Sequence, residues 1–471
     1  MRKIIIVFVA ALLLSFWSKG QEVKSYAYTK KTIVGWQDTV SMSFISDPSL
    51  YTDGWDTLPQ TAFWRNVISM TSDTCIINIA YCRKPVNKIN RNIWMNQTES
   101  QKIFFKDSVC RAYGLDSATN LYITAGKGEF YEVKKTLADI SKAISVFQKA
   151  NCDPWYAQTI LLIESPGKSK SRSYVGANGP FQLMRTVALK YGLHVNSKVD
   201  DRTDLEKSAR AAANLINSAC IPYIKKFLNA HMVSYNETDL WFRLLVLHAY
   251  HAGAGNVSCV IDTINPTVGG VDLFQKIWQT SCRGFKNESQ NYSQIALASL
   301  VNFNELINQD GDTVYLVRGD KMIKQFSRKN TKTWDAYDYL NRCMAAYEND
   351  LIDGMIPFDY FMKRISFIRK EFAHLAKVVT LSHNDIVLKK YPSSEEHLSF
   401  IAAELTKRQR YEDAIKLLKL NLDMYPDCLA SYDSIARLYR ITGDKKNADF
   451  YSNRAGTMAK EVNKESVKNS D

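Results

Sequence analysis

One stretch constrains the fold of this chain more than any other: Asp153-Pro154, then Trp155-Tyr-Ala-Gln-Thr-Ile-Leu-Leu-Ile163, ending on Glu164. Asp as N-cap with Pro in the first turn opens a helix, and Ser165-Pro166-Gly167 closes it. The residues between are largely apolar, so the helix belongs at the centre of a domain rather than on its surface. A glutamate at the buried end of such a helix is an unusual placement, because an unpaired carboxylate removed from water is costly. The segment predicts a central helix that delivers an acidic group to an interior position.

The surrounding pattern is helical too. Leu137, Ile140, Ile144 and Phe147 recur at three- and four-residue steps, one face of an amphipathic helix. Leu205–Ala219 has the alanine-rich face of a tightly packed helix, and Asp239–Ala249 is apolar and aromatic. Before this region, residues 21–130 alternate and are rich in aromatics; Thr74–Ala80 reads as strand or helix, and Gly126-Lys127-Gly128 punctuates the end. Beyond Leu300 a turn at Gly311-Asp312 reads as a hairpin, and helical patterns resume from Trp334 to about Lys377.

The C-terminal part repeats. Tyr391-Pro392 recurs as Tyr425-Pro426, and at the same 34-residue offset Leu398 matches Tyr432, Ala402 matches Ala436, Leu405 matches Tyr439 and Ala414 matches Ala448. A helix-turn-helix period of this length, with small residues where helices cross, resembles tetratricopeptide repeats over residues 391–460. Such a pair is read as a module for a protein partner or as a helical cap on the preceding helices.

At the N-terminus, Arg2 and Lys3 precede the apolar run Ile4–Trp17 and Ser18-Lys19-Gly20, the form of a secretory signal peptide. The run is shorter than the roughly 20 residues that span a bilayer. Removing residues 1–20 takes the net charge from +13 to +10, which suits an anionic polymer or surface as partner. Nine cysteines lack metal-site spacing; after export, Cys75 with Cys82 and Cys259 with Cys282 are candidate pairs.

The residues beyond the central helix carry the functional signal. Glu164-Ser165 is followed by Ser173, Gly176-Ala177, Gly179 and Gln182. Further on come Lys190-Tyr-Gly-Leu193 with Val199-Asp-Asp-Arg202, then Ala249-Tyr250-His251-Ala252-Gly253-Ala254-Gly255-Asn256-Val257, then Glu288-Ser-Gln-Asn-Tyr292. In this order the blocks resemble the lytic transglycosylases with an SLT domain (glycoside hydrolase family 23), and the second block resembles their membrane-bound D branch. The resemblance covers about 136–305.

It implies a lysozyme-like helical domain and cleavage of peptidoglycan glycan strands with one acid/base, Glu164, and no metal or other cofactor. The glutamate protonates the glycosidic oxygen; the C6 hydroxyl of the same N-acetylmuramic acid then closes a 1,6-anhydro ring, so no second carboxylate is needed. None occurs between Glu164 and Asp200. The resemblance assigns Tyr292 to positioning the glutamate. It assigns Ser173, Gln182, Met184, Tyr250, His251, Ala252, Gly253, Asn256 and Glu288 to binding sugar. Three places depart from the pattern: His251 replaces an asparagine, Gly167 replaces an aromatic residue, and Met184-Arg185-Thr186-Val187 stands where the family has Met-Pro-x-Thr. Burial would raise the Glu164 pKa, whereas the six cations Lys168, Lys170, Arg172, Arg185, Lys190 and Lys198 would lower it unless they face solvent or substrate.

The expected chain is therefore mainly α. A signal peptide (1–20) precedes an N-terminal α+β region (21–130) and the lysozyme-like domain (131–308); a connecting hairpin and helices (309–390), the tetratricopeptide-like repeats (391–460) and a polar tail (461–471) complete it. Its place is the periplasm or cell envelope, with peptidoglycan as partner, no nucleic acid, and no transmembrane span in the mature chain. Two other functions compete: a goose-type lysozyme-like hydrolase, with Asp200, Asp201 or Asp204 as second acid, and a catalytically weak glycan-binding scaffold acting through its repeats.

Overall fold

The computed structural model describes residues 27–168, 170–328, 333–378 and 394–468. The signal segment and the Tyr391-Pro392 copy of the repeat lie outside the described residues. The fold is mainly α, with two small three-stranded sheets.

The central helix is Pro154–Glu164, and every residue from Pro154 to Ile163 is buried. Its first turn is capped as the sequence requires, with the Asp153 carboxylate accepting from the Trp155 amide at 2.9 Å. Val133–Lys149 and Asn287–Asn308 pack against it. The first of these turns Leu137, Ile140, Ile144 and Phe147 inward, as their spacing predicts. Leu205–Leu215 and Leu240–Ala252 complete the same core. Each fully buried Leu, Ile or Phe contributes roughly 1.5–3 kcal/mol, so this ring of helices holds Glu164 in a fixed frame. The helix expected over Leu205–Ala219 stops being α-helical at Leu215 and continues as a π turn, Ile216–Cys220.

Six strands occur among the described residues: β1 (Tyr28–Val34), β2 (Thr39–Ile45), β3 (Thr74–Ile79), β4 (Pro85–Asn90), β5 (Leu121–Ala125) and β6 (Thr313–Tyr315). One sheet has the order β2-β1-β6, the other β4-β3-β5. Of the stretch Thr74–Ala80, ambiguous by pattern, Thr74–Ile79 is the central strand of the second sheet. The hairpin expected at Gly311-Asp312 does not form. Residues Asn287–Asn308 are one long helix, so no strand precedes the turn, and β6 instead pairs in parallel with β1. Helices resume earlier than the pattern suggests, at Arg318–Arg328.

The first sheet is built into the helical core. Phe44, Ile45, Leu50 and Trp55 share one apolar cluster with the central helix. The Gln158 side chain exchanges hydrogen bonds with the Ile45 backbone, at 2.9 Å to its amide and 3.0 Å to its carbonyl. Arg243 bridges Asp153 (2.8 Å) and Asp47 (3.2 Å) beneath the start of the central helix.

The C-terminal helices form a second core. Glu395–Lys407 and Leu429–Thr442 begin 34 residues apart, as do Tyr411–Met424 and Lys445–Lys468. Ala402, Ala414, Ala436 and Ala448 are buried, the small residues of the repeat pattern. The last helix runs on to Lys468, through most of the stretch expected as a polar tail.

Candidate active site

Glu164 is the last residue of the central helix and opens on a cleft of about 1,110 Å³. The Tyr292 hydroxyl, from the Asn287–Asn308 helix, donates to its Oε1 at 2.6 Å. Burial raises the Glu164 carboxyl from an ordinary 4.5 to about 7, against the opposing hydrogen bond from Tyr292. The negative end of the helix dipole acts in the same direction as burial. Burial and the neighbouring glutamate hold the Tyr292 hydroxyl well above its ordinary range, so it stays a donor. Five of the six cations lie outside the cleft lining: Lys168 donates to the Glu129 carbonyl at 2.8 Å, Arg185 donates to the Val195 carbonyl at 3.2 Å, and Lys170, Lys190 and Lys198 are exposed. Arg172 is exposed and lines the cleft.

The turn after Glu164 is shaped by close approach. Gly167 has φ +75°, and a Cβ there would stand 2.7 Å from the Glu132 Cβ and 2.8 Å from its carbonyl oxygen. The aromatic residue of the resemblance is excluded because the chain at Glu132 occupies that space. Ser165 donates to the Pro180 carbonyl at 2.7 Å, tying the glutamate's end to the loop beyond. Gly179 has φ +80°, and a Cβ there would fall 1.8 Å from the Arg202 carbonyl oxygen. Buried Arg202 donates to the carbonyls of Gly176 (2.8 Å) and Leu183 (3.1 Å) and pairs with Asp200 at 2.7 Å.

Among the expected sugar-binding residues, Ser173, Gln182, His251 and Glu288 line the same cleft as Glu164 and Tyr292. Ser173 accepts from the Ala177 amide at 2.9 Å. Gln182 adopts φ 45° and donates its side-chain amide to the carbonyls of Ser171 and Gly179, both at 2.8 Å. These two hydroxyl and amide groups shape the loop they stand on. His251 stacks on the Tyr292 ring, with centroids 4.1 Å apart and planes 16° apart. Burial lowers its pKa, so the ring is neutral at pH 7.

The others stand behind or beside the cleft. Tyr250 donates to the Phe181 carbonyl at 2.6 Å. Asn256 donates to the Ala252 carbonyl (2.8 Å) and accepts from the Gly284 amide (3.1 Å), tying the junction of two helices to the Gly284 turn. Gly253, at φ 82°, joins two helices. Met184 is exposed and does not line the cleft. His248 is fully buried and bonds the Ser293 hydroxyl at 2.9 Å. Cys259 and Cys282 form a disulfide with Cα atoms 5.9 Å apart; Cys75 and Cys82 are not joined, Cys75 being buried in β3.

Sequence reasoning missed one whole wall. Trp64, Arg83, all of β5, Lys127 and Tyr131 line the cleft from the N-terminal region. Arg83 is buried and donates to Asn291 Oδ1 at 2.5 Å, next in sequence to Tyr292. No spacing links these residues to Glu164; the second sheet brings them there.

The geometry is that of a carboxyl with a raised pKa at the end of a core helix, oriented by a tyrosine and facing an open cleft. Residues 142–264 match the family model for the transglycosylase SLT domain. The match supports an enzyme of lytic transglycosylase type that acts on peptidoglycan, a polymer of the cell envelope. The SLT segment contains Glu164 and the cleft loop to Gln182, and ends before Glu288 and Tyr292. No curated protein matches the chain. Among the described residues, no helix is long and apolar enough to cross a membrane.

Proposed function

We propose that this protein is a lytic transglycosylase that cleaves the bond between N-acetylmuramic acid and N-acetylglucosamine and leaves a 1,6-anhydro end. Glu164 is the acid/base. A pKa of about 7 leaves its carboxyl substantially protonated at neutral pH, the condition for an acid that must next serve as a base. Glu164 gives its proton to the glycosidic oxygen as the C1–O bond breaks. The C6 hydroxyl oxygen attacks C1, and its proton passes to the carboxylate. The Glu164 proton is restored and no water is consumed. Tyr292 holds Oε1 throughout, which leaves Oε2 for the proton transfers.

The observation that carries this reading is the tyrosine-oriented Glu164, raised to about 7 by burial and without a fixed carboxylate partner among the described residues. The acids nearest in sequence have other work. Hydrogen bonds from Arg202 hold Asp200 down at about 2, and those from Lys207 hold Asp201 at about 2. Asp204 caps the Leu205–Leu215 helix, accepting from the Lys207 amide at 2.9 Å. Glu288 is the other carboxylate among the described cleft residues, so it is the one a hydrolase on this frame would need to hold water. Mass spectrometry of digested sacculi decides between them. We expect 1,6-anhydro-muropeptides, lost in Glu164→Gln and still formed by Glu288→Gln; reducing ends that vanish in Glu288→Gln would establish hydrolysis instead.

The helix pairs that begin 34 residues apart support a tetratricopeptide-like C-terminal module, and the N-terminal leader supports export to the periplasm.

A further inference from the structure

The N-terminal wall of the cleft has a feature the glycan chemistry does not use. β5 is the edge strand of its sheet, and all five of its residues line the cleft that holds Glu164. The Ala80 amide bonds the Asn120 carbonyl and the Gly126 amide bonds the Thr74 carbonyl, at 2.9 and 2.8 Å. In an antiparallel pair such bonds alternate along the strand. Tyr122 and Thr124 therefore pair with β3, while the amides and carbonyls of Leu121, Ile123 and Ala125 face away from it. A free edge of this kind accepts an extended peptide as an added strand.

Positive charge stands around that edge. Arg83, Arg91, Lys127 and Arg172 line the cleft, against the acids Glu164 and Glu288. Arg83 is only 6% exposed, and its described hydrogen-bond acceptors are the neutral amides of Asn78, Asn287 and Asn291. Its guanidinium lies against the Tyr122 ring, 5.0 Å from the centroid. A buried cation without a carboxylate is costly, and a carboxylate arriving in the cleft would offset that cost.

We infer that β5 and these cations form a binding site for an extended peptide bearing free carboxylates, namely the peptide attached to the glycan strand. The site rests on the proposed action on peptidoglycan and extends it: the SLT segment holds the sugar, and the N-terminal sheet reads the peptide beside it.

The test compares glycan strands that carry their peptides with the same strands stripped by an amidase, using the full chain. The wild type is expected to show a KM about tenfold lower on the peptide-bearing strands. That ratio should fall toward one in Lys127→Ala/Arg172→Ala. It should also fall in Ile123→Pro, which removes one outward amide from an edge strand, where proline is tolerated. A wild-type ratio near one, or variants that keep the wild-type ratio, overturns the inference. A second arm needs no turnover: the amidase-released peptide is titrated into Glu164→Gln and into the same variant carrying Lys127→Ala/Arg172→Ala. Binding weakened in the second supports the site even if neither strand is cleaved, an outcome that would overturn the proposed reaction alone. Absence of binding to the first, with cleavage intact in the wild type, overturns the site alone.

Discussion

The two ends of the central helix carry two partly buried carboxylates, each raised by loss of water, that the protein gives different partners. At the N-terminal end Asp153 caps the helix, sits at the positive end of its dipole and is bridged by Arg243, which also binds Asp47. The guanidinium cannot give up its proton, so one fixed positive charge faces two carboxylates and works against the burial that raises the Asp153 pKa. At the C-terminal end Glu164 sits against the negative end of the same dipole, with a tyrosine hydroxyl as its partner. There burial raises the carboxyl to about 7, opposed by the tyrosine's hydrogen bond rather than by a cation. One helix thus separates a structural acid from the proposed catalytic one, and what distinguishes them is the cation.

The largest expected effect removes the proposed acid/base. Glu164→Gln should lower turnover on purified sacculi by about 10²–10⁴-fold, the usual contribution of a general acid/base. The fold should be retained, as read by circular dichroism. Removing the cation at the other end should act on folding instead. Arg243→Met leaves Asp47 and Asp153 buried without their counter-charge, at a cost of about 3–5 kcal/mol in urea unfolding.

The asymmetry also has a pH signature. Folding raises Glu164 from an ordinary 4.5 to about 7, so between those values the folded state holds the extra proton. The stability contributed by that group is complete below about pH 4.5 and is lost as pH rises through 7. At 1.36 kcal/mol per unit the loss is about 3 kcal/mol. Thermal unfolding of Glu164→Gln should therefore show its gain over the wild type at pH 8 and little at pH 4. For activity the same value places an alkaline limb in kcat/KM near pH 7.

Tyr292→Phe sharpens the contrast from the partner's side. Its hydrogen bond lowers the Glu164 pKa, so the alkaline limb should move to higher pH, with a loss of about 1.5–3 kcal/mol in kcat/KM. The smallest effect is expected at the turn that ends the helix. Gly167→Ala places a side chain in a left-handed conformation, at a cost of about 1–2 kcal/mol before the approach to Glu132 is relieved. Differential scanning calorimetry reads it.

Much of the catalytic frame was legible before the structure. Asp153-Pro154 announced the helix, its apolar run announced the central position, and Glu164 with Gly179 and Gln182 kept the spacing of a known family. These are local properties: a cap, a period, a glycine that a left-handed turn requires. The wall carrying Arg83, Tyr122 and Lys127 was not legible, because a sheet paired across residues 74–125 leaves no periodic trace that points to a cleft. The Gly311 hairpin failed for a related reason. Turn residues mark a reversal but do not name the strand that pairs next, and β1, about 280 residues earlier in the chain, supplied the partner.

By itself, then, the sequence determined that a glutamate, the proposed acid/base, ends a buried helix, and that helices dominate. Tertiary structure alone decided that the carboxyl is raised to about 7. Of the six cations that come after Glu164 in the chain only Arg172 reaches the cleft lining, and burial, a long-range property, sets the pKa. It alone decided why Gly167 replaces an aromatic residue, through the passage of Glu132. It also decided that residues before the SLT segment complete the cleft, since pairing between distant strands is fixed by packing rather than by neighbours in sequence.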